Sequence, residues 1–389
     1  MESLTKNKQS KDTISKMVDK FFAPHKLVRF HELTEGYFNM AYEICLSNDQ
    51  LVILKIAPSS KVRVMTYEKN IMFSEVNAMR LVLGNGEIPA AKIMGYDDSC
   101  TICDSPYFFM EKIQGKSLHS VKNSLSQEQI HQIYAETGRI NKEINHITCP
   151  AFGYPGQSEF QGTEWYPIFR KMMEAGINDA RQGHVDLKIP IDQMWLCLDR
   201  DEPIFHEVQE PKLVHWDCWD GNIFVHSGKV TGIIDWERSL WGDPLMEVGF
   251  RTYSDNTYFQ RGYGIKNLTE TQKRRALWYD VYLMLLVALE CEYRKYETMD
   301  TYDYSTQILM KQFNKIQESC PKRMFPISQK HSPKMKRYRF GEVWDCTFGK
   351  FRNQPPASTL CLSRFQAILN ETHFSQKCKP RISPCRRAL

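Results

Sequence analysis

At 389 residues, with 42% hydrophobic and 25% charged residues and a net charge of +5, the chain has the make-up of a soluble globular protein, with room for roughly two to three domains and a large core. The charge is uneven: from Pro321 onward 15 Lys and Arg face three acids, whereas 36 face 43 before it, so the basic character belongs to the tail. The N-terminal stretch lacks the apolar run of a signal peptide, and the longest apolar run, Val281 to Leu289, is about half a membrane span. These features argue against secretion and membrane insertion and point to a cytoplasmic protein whose twelve cysteines are reduced thiols.

Residues 1–27 read as an N-terminal extension. From 28 to 57, "LVRFHEL", "AYEICLS" and "LVILKIAP" are strand-like runs separated by the turns "TEGYFN" and "NDQ", which predicts a three-stranded antiparallel meander. The spacing of Met72, Val76, Met79 and Leu83 predicts a helix over 66–83. Two further strand-like runs, near "AAKIMGY" and "PYFFMEKIQG", complete a small β-rich lobe with one helix over 28–112. Between them, "CTIC" at Cys100 to Cys103 lacks the second ligand pair of a zinc site and reads as a loop with free thiols.

From 113 to 317 the pattern becomes mainly helical. Ser126 and Gln129 form a capping box ahead of an isoleucine stripe, and further helical segments fit 164–182 and 272–298. Asp280, Glu290 and Glu292 on the last of these read as solvated helix faces, with contact to an amino sugar as the second reading. Residues 318–389 mix Pro, Ser and basic residues without periodicity, the pattern of a disordered tail. Its interspersed aromatics suggest nucleic-acid binding, but short basic tails are more often simply solvated.

The large lobe is interrupted by "LVHWDCWDGNIFVHSGKVTGIIDWE". Two apolar runs flank a Ser-Gly turn, so the segment predicts a hairpin with Asn222 entering it and Asp235 leaving it at the same end. Asp217 lies on the loop just before. Singly, such residues cap turns; together, two carboxylates and an amide make an oxygen-rich site suited to Mg²⁺ and phosphate. Asp243 reads as a cap or loop brace, and Glu237 as a contact near the site. In the small lobe, Lys55 is the lone charge in "LVILKIA" and Glu75 the unexpected acid on the apolar face of the 66–83 helix. An ion pair between them answers both anomalies, with Glu68 as the second choice.

His215, Asp217 and Asn222 match the H-x-D-x-x-x-x-N loop of the kinase fold, and Asp235 stands where the Asp of D-F-G would be. With "LVHWDCWDGNIFV", "GIIDWERSLWGDPLMEVGF" and "VILKIA", the chain resembles the aminoglycoside phosphotransferase family of the kinase-like superfamily from about 28 to about 300. The resemblance implies an α+β bilobal kinase-like fold and transfer of the γ-phosphate of ATP to a hydroxyl of a small molecule. It implies Asp217 as base, Asn222 and Asp235 as Mg²⁺ ligands, His215 as a shaping residue and the Lys55–Glu75 pair at the phosphates. Backbone amides from Gly36 through Asn39 to Met40 would cover the phosphates, and the backbone at Glu111 and Ile113 would bond adenine. Only one glycine stands in the phosphate loop, no A-P-E motif occurs, 17 residues separate Asp217 from Asp235, and Trp216 replaces the Arg of H-R-D. Those departures favour a small-molecule acceptor over a protein. A non-catalytic, pseudokinase-type binding protein is the alternative.

Overall fold

The computed structural model describes residues 3–34, 36, 38–84, 86 and 88–318, all within the compact unit Met1–Pro321. The sequence expectations for the tail, its order and its nucleic-acid contacts, lie outside the described residues. No helix among the described residues is long and apolar enough to cross a membrane.

Five antiparallel strands, β1 (Leu27–Leu33), β2 (Met40–Leu46), β3 (Leu51–Ile56), β4 (Ile93–Asp97) and β5 (Tyr107–Glu111), form one sheet in the order β1-β2-β3-β5-β4. The meander predicted from the turn residues is its first three strands. Both faces are covered, which is why β3 is apolar at every position but Lys55 and does not alternate. Val52, Leu54, Ile56, Tyr107 and Phe109 pack with Ile14, Met17, Val18 and Phe22 of helix α1 (Lys11–Phe22). Ile53, Phe108 and Met110 face Met72, Val76 and Met79 of α2 (Ile71–Leu83). Lys55 alternates onto this second face, opposite Phe108. Helix α1 falls within the stretch read as an extension, where it forms part of the lobe's core.

The helix expected over 66–83 starts late. Thr66–Glu68 is a single 3-10 turn, and Asn70 takes a left-handed conformation before α2 begins. Side chains compete for the backbone there: Glu68 accepts the Met65 N–H at 2.8 Å, and Asp179 accepts the Thr66 N–H at 2.7 Å.

The larger lobe is built on α3 (Gln127–Ile144), α4 (Trp165–Gln182), α5 (Glu270–Arg294) and α6 (Asp300–Glu318). The capping box of Ser126 and Gln129 is present. Helix α5 is buried nearly all round, from Ala276 to Arg294, and is the centre of the largest apolar cluster. Short strands β6 (Ile223–His226) and β7 (Lys229–Ile233) form the expected hairpin. Ser227 and Gly228, both at positive φ (49° and 77°), close it with the turn geometry that Gly tolerates without strain.

Candidate active site

Lys55 Nζ lies 2.6 Å from Glu75 Oε1 and 2.8 Å from Asp235 Oδ1, so one buried ammonium ties the sheet, α2 and the exit of the hairpin together. Burial alone favours the neutral amine, but Asp235 and Glu75 overcome it and hold Lys55 charged above its ordinary range. Burial likewise opposes ionised Asp235, and the Lys55 charge wins, keeping the carboxyl below its usual range. Glu68, the second choice for this pairing, is bonded instead to Arg294 at 3.0 Å.

The loop before the hairpin is held by a carboxylate that the sequence reading passed over. Glu247, fully buried, accepts the His215 N–H at 2.8 Å and the Trp216 N–H at 3.0 Å. Trp216 sits at φ 65°, a conformation costly for a bulky residue. It is over-determined there: Glu247 takes its amide, Arg251 Nη2 donates to its carbonyl at 3.0 Å, and its ring stacks on Tyr282 at 5.5 Å. His215 Nε2–H donates to the Ile234 carbonyl at 3.1 Å while Nδ1 accepts the Asp217 N–H at 3.2 Å. Burial drives this imidazole down to about 4, so His215 is a neutral strut.

Asp217 is pushed up to about 6, chiefly by burial, against the pull of Arg238 and Arg251. Asn222 Nδ2 donates to the Asp217 carbonyl at 2.8 Å and to its carboxylate at 3.3 Å. That leaves the Asn222 side-chain oxygen as its remaining donor to a cation. The Ile234 N–H bonds the Asn222 carbonyl at 3.0 Å, which links the two ends of the hairpin directly. Opposite it, Glu75, Asp235 and Glu237 bring carboxylate oxygens within 4.8 Å of one another. Hard oxygen donors of this kind fit Mg²⁺. Burial, and after it the Asp235 charge, raise the Glu237 carboxyl well above its usual range.

Asn39 is buried, and its Nδ2 donates to Glu237 Oε2 at 2.7 Å, so the loop after β1 is latched to the D-W-E turn. Gly36 is exposed in that loop, with its neighbours Glu35 and Tyr37 outside the described residues. Glu111 ends β5, its N–H bonded to the Lys92 carbonyl at 2.9 Å. Ile113 follows in the segment joining the lobes, its side chain lying where a Cβ on Gly232 would stand. Cys100 and Cys103 are free thiols. Asp243 is the brace expected: it accepts the Leu245 N–H at 3.1 Å and pairs with Arg275 at 2.8 Å.

The acids of α5 are not solvated faces, with the exception of half-exposed Glu292. Glu290 pairs with Arg238 at 2.8 Å and with Arg294 at 3.4 Å. Asp280 accepts the Thr252 N–H at 2.8 Å and its hydroxyl at 2.6 Å. A helix hydrophobic on every side leaves no outer face for them, so each is buried with a partner.

The family model of phosphotransferase enzymes matches residues 30–265. No protein of curated function matches the sequence. Among solved structures, the aminoglycoside phosphotransferase APH(4)-Ia superposes with a TM-score of 0.57 at 15% identity, covering 80% of this chain and 100% of that one. A thermostable mutant of it, in ternary complex with AMP-PNP and hygromycin B, gives 0.55 at 15% over 78% and 98%. A Thermobifida fusca YX-ER1 protein assigned as a fructosamine-3-kinase gives 0.55 at 12% over 78% and 100%. At these identities the likeness is one of fold: an antiparallel-sheet lobe against a helical lobe, as the sequence implied. With more than half its length matched by the family model, the chain belongs to the phosphotransferase enzyme family.

Proposed function

We propose that the protein transfers the γ-phosphoryl group of ATP to a hydroxyl of a small molecule. The observation that carries this reading is the meeting of two half-sites. The Glu75–Lys55–Asp235 chain and the Asp217–Asn222 pair are joined by the backbone bond from Ile234 to Asn222.

Asp217 takes the proton of the acceptor hydroxyl as its oxygen bonds to phosphorus. The bond from the γ-phosphorus to the β–γ bridging oxygen breaks, and ADP leaves. A base that ionises at about 6 is deprotonated at neutral pH yet keeps enough basicity to assist. Lys55 neutralises phosphate charge, with Glu75 fixing its position. Asn222 and Asp235 would hold Mg²⁺, which supplies charge neutralisation at the phosphates. The backbone at Gly36 and Asn39 covers the phosphates, and that at Glu111 and Ile113 receives the adenine.

The test is ATP turnover with Mg²⁺ across a panel of sugars, amino sugars and amino alcohols, with nucleotide binding measured alongside. Turnover with at least one acceptor is expected. ATP binding without turnover on any would favour the non-catalytic alternative, and absence of ATP binding would remove the phosphotransfer reading.

A further inference from the structure

Between Asp217 and Asn222 the chain runs Cys218, Trp219, Asp220, Gly221. The Trp219 N–H donates to the Asp217 carbonyl at 3.0 Å and the Asn222 N–H to the Trp219 carbonyl at 2.8 Å. Such local bonds curl the loop without fixing where it lies. Its start is fixed by Glu247 at His215 and Trp216, and its end by the bond from Ile234 to Asn222. The middle is held from outside, through Asp220.

Asp220 meets the segment that leaves the junction of the lobes. Lys116 and Ser117 pair with Val225 and Phe224 of β6. From there the chain passes His119, whose N–H donates to the Asp220 carbonyl at 2.9 Å, and reaches Lys122. Lys122 Nζ lies 2.7 Å from Asp220 Oδ2 and 2.6 Å from the Tyr134 hydroxyl, which itself donates to the Asp220 carboxylate at 2.9 and 3.0 Å. The three side chains close a ring in which the ammonium serves carboxylate and phenol, and the phenol serves the carboxylate. Burial opposes the ammonium, but Asp220 and Tyr134 overcome it and raise Lys122 above its ordinary range. Next to this ring the indole of Trp219 folds over Gly221, where a Cβ would come within 2.3 Å of it, and meets the His119 ring at 5.7 Å.

An ion pair whose side chains are 38% and 21% exposed adds little to global stability, so the fold does not depend on it. Its place in the loop gives it another use. Asn222 Nδ2 donates to both the carbonyl and the carboxylate of Asp217, so a shift at Asp220 reaches both residues together. A misplacement of about 1 Å in such a site costs up to about 10²-fold in rate. We propose, resting on the phosphotransfer reading above, that Lys122, Asp220 and Tyr134 are positioning residues. They pin the loop to the segment that follows Ile113, and so keep Asp217 and Asn222 aligned with the bound nucleotide for transfer.

Transfer from γ-labelled ATP with Mg²⁺ to the best acceptor of the panel, measured on the full chain, tests this, with kcat and the KM for ATP taken separately. Lys122→Met keeps the stem and loses the ammonium. It is expected to lower kcat by about tenfold or more while the KM for ATP moves by less than about threefold. Lys122→Arg restores part of kcat. Asp220→Asn behaves as Lys122→Met does, and the double variant is no slower than the slower single one, because each already opens the same ring. Circular dichroism establishes which variants are folded. Wild-type kcat in a folded Lys122→Met, a loss that falls on the KM for ATP alone, or losses that multiply in the double variant overturn the inference. Failure of both single variants to fold overturns it as well, since the ring would then serve the fold. Wild-type turnover on no acceptor overturns the phosphotransfer reading, and this inference with it.

Discussion

Asp217 carries a conflict between stability and chemistry that can be measured. Its folded pKa of about 6 lies above its unfolded value near 3.8, so the folded state holds the proton more tightly. Stability contributed by this group is therefore present at low pH, falls as pH rises from about 4 to about 6, and stays at its lowest above that. Asp217→Asn removes the buried charge. The variant is expected to gain up to about 3 kcal/mol over wild type at pH 8 and less at pH 5, since each pKa unit is about 1.4 kcal/mol. Urea denaturation at the two pH values checks this, and a variant equally or less stable at pH 8 contradicts it. Wild-type kcat/KM should rise with pH to about 6 and then level. His215, neutral down to about 4, adds no limb of its own in that range. The meeting of Asp217, Asn222 and Asp235 at one end of the hairpin was readable because they lie close together in the sequence at a fixed spacing. The part played by Glu247 was not: its partners are two backbone N–H groups 31 and 32 residues earlier and the Asn145 amide 102 residues earlier, none of which leaves a trace in the local side-chain pattern.

Among the elements, β3 and α2 show why the Lys55–Glu75 pair was legible. A charge within an apolar strand and an acid on an apolar helix face are each expensive alone, and only each other's company explains them. The start of α2 was not legible, because Glu68 and Asp179 divert the backbone through contacts up to 113 residues apart. Asp280 and Glu290 of α5 were misread as solvated for a related reason: their partners Thr252 and Arg238 lie on other segments. Lys55→Met leaves Glu75, Asp235 and Glu237 crowded without a cation. It is expected to cost about 3–5 kcal/mol and to weaken ATP binding. Glu75→Gln, which keeps the shape of the side chain, should cost less. Denaturation midpoints together with nucleotide titration test this, and a Lys55→Met variant as stable as wild type counts against the ion-pair network. Loss of the Asn39 latch on Glu237 in Asn39→Ala should raise the KM for ATP, because the loop after β1 loses its buried tether.

At the scale of the whole molecule, the N-terminal end of the chain supplies part of the core. Helix α1 buries Ile14, Met17, Val18 and Phe22 against the sheet, and the ring of Phe21 occupies the space beside Gly95, where a Cβ would come within 2.5 Å. Those four side chains at about 2 kcal/mol each rival the full stability of an ordinary domain. The i, i+3, i+4 spacing of Ile14, Met17 and Val18 was visible in "KDTISKMVDKFF", but what the helix covers depends on a sheet formed later in the chain. Deleting residues 1–22 is expected to abolish cooperative melting. Circular dichroism checks this, and a truncated chain that melts as cooperatively as the full one contradicts it. The central claim, that the joined half-sites bind ATP and that Asp217 serves the acceptor, is tested most directly by single-turnover transfer from γ-labelled ATP. Wild type and Asp217→Asn are compared, with ATP affinity measured on each. The account predicts ATP bound equally by both and transfer slowed by about 10²–10⁴ in the variant. Transfer at the wild-type rate by Asp217→Asn, or loss of ATP binding in step with loss of transfer, would contradict it.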